Sequence, residues 1–355
     1  MPWNPATHAT NGRVIPVLER ILSEQEPESP NETPIDPDLP IVDPHHHLRD
    51  RPGHLYLLPE LLRDIVRGHN IRATVVVECS AMFRADGPGE LRAVGETEFV
   101  NGIAAMSASG GYGPIRVCAG IVGFADMRLG ERVRPVLEAH IAAGGGRFRG
   151  VRNQVSWDED DGLKNRRGLN APQVLLDPKV ARGVAALADY GLTFDVHLLF
   201  TQLPDLIDLA GKVPQTTIVL DHSGGPVHTG RYADRREEVL AAWRSALREL
   251  AQRPNVALKI GGLGMEAMGF KAALAGTRPS SERIAALWRP YIETCVELFG
   301  PTRCMFESNF PPDKKTCDYG ILWNAFKRIA SQYSAAERGA LFSGTAAAVY
   351  RLGSV

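Results

Sequence analysis

Short runs rich in Val, Ile and Leu recur eight times along the chain, most of them followed by a stretch with the three-to-four-residue apolar spacing of an amphipathic helix. The runs fall at 40–43, 73–79, 115–122, 150–155, 192–198, 216–221, 256–260 and 303–306. The helical stretches fall at 57–68, 96–107, 131–143, 178–190, 203–210, 235–252 and 281–299, and two more, at 319–331 and 335–350, come after the last run. This alternation, with no break in composition, predicts an α/β fold in which residues 40–355 form one (β/α)8 TIM barrel with extra C-terminal helices. A doubly wound open sheet is the alternative. It has little support, because no glycine-rich fingerprint follows the first run and Gly144-Gly145-Gly146 precedes a strand instead of opening a helix. Residues 1–39, rich in Pro, Glu, Asn and Ser around one amphipathic stretch at 14–22, are expected to form an arm on the body or on a neighbouring subunit.

Composition narrows the function classes. With 40 basic and 41 acidic side chains the formal net charge is -1, which supplies no global field for nucleic acid or an anionic membrane. No apolar run approaches the ~18 residues of a membrane-spanning helix, and the first residues lack the basic-then-apolar pattern of a secretion signal. A cytoplasmic protein acting on a small molecule is expected, with no nucleic-acid or membrane partner and with assembly as a homodimer or larger homo-oligomer. The five cysteines are scattered with no close pair, as expected for reduced thiols.

Catalytic groups of such a barrel sit at the C-terminal ends of the strands. The first run ends in Asp43-Pro44-His45-His46-His47. Alternation along a strand sends His45 and His47 to one side and His46 to the other, so two imidazoles share a face where a zinc-like metal could bind. The ends of the other runs supply Glu78, Arg152, Asn153, His197, His222, Lys259, Glu307 and Asn309. His197 lies in an apolar strand and reads either as a core histidine or as a ligand. Lys259 is costly to bury without a carboxylate or a substrate anion as partner, and Glu78 meets the same objection. Arg152 reads as a bidentate clamp on a substrate carboxylate or as the partner of a helix acid. The loop at 80–91 contributes Met82, Phe83 and Arg84, an apolar wall with one cation, and 265–270 reads as a lid.

Four segments in this order resemble the amidohydrolase-2 branch of the amidohydrolase superfamily, and within it the lactonase-like TIM-barrel hydrolases. They are Asp43, His45 and His47; Leu220-Asp221-His222 with Gly224 and Pro226; Lys259 with Gly261-Gly262-Leu263; and 303–311. The resemblance runs from about residue 41 to residue 352. It implies His45 and His47 as metal ligands, a strand-five histidine, here His197, as a third, and His222 as a group polarising the substrate. It also implies a strand-eight aspartate acting as ligand and general base. Here the sequence departs, because the segment reads Glu307-Ser308-Asn309-Phe310-Pro311 and the aspartate position is Asn309, whose amide takes no proton at neutral pH. Glu307, Glu78 and Asp313 are the carboxylates left to accept the proton, a role typically worth about 10²- to 10⁴-fold in rate.

These readings predict a metal-dependent hydrolase that opens a lactone or another cyclic ester or amide of a small carboxylated substrate. The ion would be divalent, zinc first and manganese second, although some lactonases of the group work without metal. On this reading Glu307 or Glu78 accepts the water proton, His222 donates to the developing oxygen, and Arg152, Lys259, Asn153, Arg84 and Asp313 are the substrate-binding candidates. A non-oxidative decarboxylase of an aromatic or unsaturated acid is the nearest alternative. A non-catalytic barrel that binds a small acid is the alternative from a different class.

Overall fold

The structure, a computed structural model, describes residues 16–23, 32–163, 168, 169, 171–270, 274 and 279–354. Its centre is a parallel sheet of β1 (Ile41–His46), β2 (Ile71–Val77), β3 (Arg116–Gly123), β4 (Phe148–Gln154), β5 (Thr193–His197), β6 (Ile218–Leu220), β7 (Val256–Ile260) and β8 (Cys304–Phe306), hydrogen-bonded in sequence order. Five consecutive pairs, from Gly150 with Thr193 to Gln154 with His197, hold β4 to β5 in unbroken register. The first and last strands meet just past β8: His46 bridges Phe310, His47 N–H donates to the Phe310 carbonyl at 2.8 Å, and Asn309 N–H donates to the His45 carbonyl at 2.9 Å. The TIM barrel expected from the sequence is therefore present, and its closing seam runs through the histidine motif.

The helices lie where the apolar spacing placed them. They are α1 (Pro16–Ser23), α2 (Leu58–Ile65), α3 (Val94–Ala108), α4 (Arg134–Ala143), α5 (Pro178–Ala186), α6 (Leu203–Lys212), α7 (Arg236–Leu250), α8 (Ser281–Phe299) and α9 (Tyr319–Ala330). The Ser280 hydroxyl caps α8 by accepting from Arg283 N–H at 3.3 Å, and Gly300, at φ 76°, ends it. Phe306 of β8 stacks on Phe326 of α9 with ring centroids 4.6 Å apart, and both are fully buried. Each such ring contributes roughly 1.5–3 kcal/mol of burial.

The single helical pattern at 335–350 is realised as three pieces, an α-helical turn Ala335–Gly339, a π-helical turn Ala340–Gly344 and a second α-helical turn Thr345–Val349. This tail carries Ala346, Tyr350 and Leu352 onto the small and β-branched side chains of the barrel interior, among them Val42, Ala73, Val75, Ala119 and Val219. The described part of the predicted arm lies on the body: Leu18 and Ile21 of α1 are buried, Arg63 of α2 donates to the Ile21 carbonyl, and Glu32 accepts from Ser281 N–H at 2.8 Å. All five cysteines are free and buried. No helix among the described residues is long and apolar enough to cross a membrane.

Candidate active site

β1 bends where Pro44 interrupts it, with a register shift against β2 between Asp43 and His46. Asp43 fixes this bend to the β8 seam by accepting from Ser308 N–H at 3.0 Å, Ser308 Oγ–H at 2.6 Å and Tyr319 O–H at 3.0 Å. Alternation then acts as expected. His46 turns to Thr74, with Nε2 2.8 Å from its Oγ1, while the His45 and His47 rings face each other edge-on at 4.9 Å. His47 Nδ1 lies 2.8 Å from the Val77 carbonyl, which only accepts, so that nitrogen carries the proton and Nε2 keeps its lone pair.

The opposite wall comes from β6 and β8. β6 ends at Leu220, and the left-handed backbone of His222 (φ 55°) and Ser223 (φ 53°) breaks the strand alternation, so the adjacent Asp221 and His222 both reach His45. Glu307, fully buried, holds both imidazoles. Its Oε1 accepts from His222 N–H at 3.1 Å and lies 2.7 Å from His222 Nδ1, and its Oε2 lies 2.9 Å from His45 Nδ1. Gly262 is required here: it has φ +65°, and a Cβ would come within 2.6 Å of the His222 ring.

Beneath and beside these groups sit two buried cations. Lys259 Nζ lies 2.7 Å from Asp195 Oδ2, 3.2 Å from Asp221 Oδ1 and 3.3 Å from His45 Nδ1. Asp195 also accepts from Thr193 Oγ–H at 2.7 Å and Tyr350 O–H at 2.5 Å, which ties the C-terminal tail to the site. Arg152 Nε donates to Glu78 Oε1 at 2.8 Å, and its Nη2 donates to the Glu78 carbonyl. Its Nη1 lies 3.4 Å from His45 Nε2 and 3.6 Å from Asp221 Oδ2.

These charges set the protonation states. Burial alone would raise Asp221, yet the charges of Lys259 and His45 outweigh it and hold the carboxyl well below the usual range. Burial is likewise outweighed at Glu307, kept ionised by His222 and His45, and at His222, which Glu307 raises above the ordinary imidazole value. Burial, reinforced by neighbouring cationic groups, keeps His47 and His197 neutral. Asp313 is pushed up to about 7, chiefly by burial.

Among the described residues, donor atoms of His45, Asp221 and His222 lie within 4.8 Å of one another, a spacing that suits one metal ion. The donor chemistry fits as well. The Asp221 carboxylate is buried and faces Lys259 and Arg152 as ion-pair partners, with no aligned hydrogen bond to either oxygen, and Glu307 engages Nδ1 of both histidines, so each would coordinate through Nε2, that of His45 by displacing Arg152 Nη1 from 3.4 Å. His47 and His197 border this set without belonging to it; the rings of His197 and His222 are 4.8 Å apart.

The structure thus gathers His45, His47, His197, His222, Glu78, Arg152, Lys259 and Glu307 at one end of the barrel. Asn309 and Asp313 pair with each other, Nδ2 to Oδ1 at 2.8 Å, while Asp313 Oδ2 accepts from Gly264 N–H at 3.0 Å. Asn153 turns to the Ala125 carbonyl at 2.8 Å, and Arg84 is exposed and ion-paired with Glu98. The lid predicted at 265–270 contains a 3-10 turn, Glu266–Met268, with Met268 and Phe270 buried.

Sequence reasoning passed over three participants. Asp221 stood in a quoted motif, but regular alternation would point it away from His222. Asp195 lies two residues before His197 on β5, and this same-face spacing was a usable signal. Glu96, whose Oε1 accepts from Cys79 N–H at 2.8 Å and Ala81 N–H at 3.1 Å behind Glu78, carried no sequence signal.

The profile of the amidohydrolase family matches residues 42–352. An uncharacterised protein of Sinorhizobium fredii, y4mH, is 33% identical over 89% of this chain and 99% of its own length. An L-fucono-1,5-lactonase of Burkholderia multivorans is 32% identical over 83% of this chain and 86% of its own length. Among solved structures, a Burkholderia multivorans amidohydrolase with bound zinc is 29% identical at a TM-score of 0.67, covering 88% of this chain and 99% of that one.

Proposed function

We propose that this chain, which belongs to the amidohydrolase family and is a hydrolase of its lactonase-like group, opens the ring of a small polyhydroxylated lactone at the His45–Asp221–His222 site. The observation that carries the proposal is the fully buried Asp221 carboxylate, kept ionised by Lys259 and grouped with two imidazoles that Glu307 orients. Similarity to L-fucono-1,5-lactonases supports a sugar-acid lactone. A neutral substrate is favoured over a carboxylated one because Arg152 and Lys259, the cations otherwise available to a substrate anion, are already matched by Glu78, Asp195 and Asp221.

His45, Asp221 and His222 would hold one divalent ion, and zinc, present in the Burkholderia multivorans structure, is the leading candidate. Such an ion supplies Lewis-acid polarisation and a lowered pKa for bound water. The remaining work falls to this chain's own side chains. Glu307 positions both imidazoles through their Nδ1 atoms and, being committed to them, is not the proton acceptor. Glu78 is likewise engaged, its Oε1 accepting from Arg152 and from Gln154. His47 Nε2, with its lone pair fixed by the Val77 contact, accepts the proton of the attacking water and returns it to the ring oxygen as the acyl C–O bond breaks. Arg152 Nη1, beside His45, faces the negative charge that develops on the lactone carbonyl oxygen.

The test is a panel of aldono-1,5-lactones, dicarboxylated lactones and hydroxybenzoates, followed by acid release and by carbon dioxide. Ring-opened acid from a neutral sugar lactone, lost in Asp221→Asn, is the expected result. Carbon dioxide from an aromatic acid with no ring opening would replace this reading with decarboxylation.

A further inference from the structure

The opposite end of the barrel carries a second cluster of charge that the reaction does not use. A cavity of about 490 Å³ is lined by Arg116, Arg147 and Arg149, by Ser107, and by Gly113 and Gly146; none of its lining residues is acidic. Arg116 opens β3, Arg147 immediately precedes β4 and Arg149 lies near its start, whereas Arg152 and the catalytic groups stand at the far ends of the strands. At ~3.3 Å per residue Arg147 stands about 16 Å and Arg149 about 10 Å along the chain from Arg152.

Some arginines on this protein's surface have carboxylate partners, as Arg128 has Asp126 and Arg235 has Glu238. The hydrogen bonds of these three, among the described residues, go instead to neutral oxygens: Arg116 to the Ser354 carbonyl at 3.1 Å, Arg147 to Asn101 Oδ1 at 2.8 Å and Arg149 to the Phe148 carbonyl at 3.0 Å. Arg149 Nε is buried without any partner. Burial, followed by the charges of Arg351, Arg116 and Arg147, lowers the Arg149 pKa, so the folded chain holds like charges together at a cost. Gly113 (φ 99°) and Gly146 (φ 78°) shape the rim without side chains, and a Cβ at Gly146 would meet nothing.

We propose that this cavity is a binding site, separate from the catalytic centre, for a small phosphate-bearing polyanion gripped by the guanidinium groups of Arg116, Arg147 and Arg149. Guanidinium forks match phosphate oxygens two at a time, and the volume suits a phosphorylated metabolite better than a lone ion.

The experiment is isothermal titration of the full chain with pyrophosphate at constant ionic strength, with citrate as the carboxylate comparison. The wild type should bind pyrophosphate saturably, and Arg147→Gln and Arg149→Ala should each weaken binding at least tenfold; Arg248→Ala, on the exposed face of α7, should change nothing. Melting temperatures of the same variants establish folding, and Arg147→Gln carries the test if Arg149→Ala does not fold. Absence of saturable binding, or binding undiminished in the pocket variants, overturns the site. Citrate binding equal to that of pyrophosphate at these residues overturns the phosphate assignment.

Discussion

Replacing Lys259 with methionine is the sharpest test of how the site is held together. The ammonium group is fully buried, 2.7 Å from Asp195 and 3.2 Å from Asp221, and methionine fills nearly the same volume without charge. Losing one partner of a buried ion pair typically costs about 3–5 kcal/mol, because the carboxylates left behind remain desolvated. Asp195 keeps its bonds from Thr193 and Tyr350, which softens the loss, whereas Asp221 keeps only the more distant Arg152 and His45. We therefore expect Lys259→Met to lose about 3 kcal/mol or more in urea unfolding at pH 7. Asp195→Asn in the same chain should recover at least about 1 kcal/mol relative to the sum of the single variants, since coupled neighbours are non-additive. A loss below about 1 kcal/mol, or strictly additive single variants, would refute the reasoning and show that Lys259 contributes packing alone.

Glu96 makes stability pH-dependent. Burial, then the charge of Glu78, raises its carboxyl from 4.5 to about 8, so the folded chain holds a proton that the unfolded chain releases. This contribution is fully present below pH 4.5 and is lost as pH rises through 8. Unfolding midpoints measured from pH 5 to 8.5 should fall by an amount that Glu96→Gln largely abolishes; equal slopes in both proteins would exclude Glu96 as the source. Gly262→Ala, which forces a methyl group against the His222 ring, should lower kcat/KM at least tenfold and reduce Tm. His47→Gln should lower kcat about 10²- to 10⁴-fold without loss of bound metal, as removal of a general base does; a parallel loss of metal would place His47 among the ligands instead.

The sequence carried the barrel because each element announces itself locally. β7 (Val256–Ile260) and α8 (Ser281–Phe299) fall at the residues their apolar patterns mark, and the ends of the other elements shift by a few residues where capping and the closing seam decide. His45 and His47 were legible for the same reason, as alternating residues of one strand. Asp221 was not, because two left-handed residues after β6 undo alternation, and such backbone states are not visible in residue type when the residues are His and Ser. The role of Glu307 was only half legible. Its presence beside Asn309 was plain, but β8 stops at Phe306, and its engagement with both imidazoles depends on Gly261-Gly262 letting β7 approach. Asn309 pairs with Asp313, a contact that two ionised carboxylates could not share at 2.8 Å.

The central claim is that His45, Asp221 and His222, oriented by Glu307, form the metal centre of a lactone-opening hydrolase. Metal content per chain of untagged wild type and Asp221→Asn, each equilibrated with zinc and then desalted without chelator, tests it most directly. The account predicts close to one zinc ion per wild-type chain and little in the variant. Folded wild-type protein that holds no metal, or an Asp221→Asn variant that holds as much as the wild type, would contradict it.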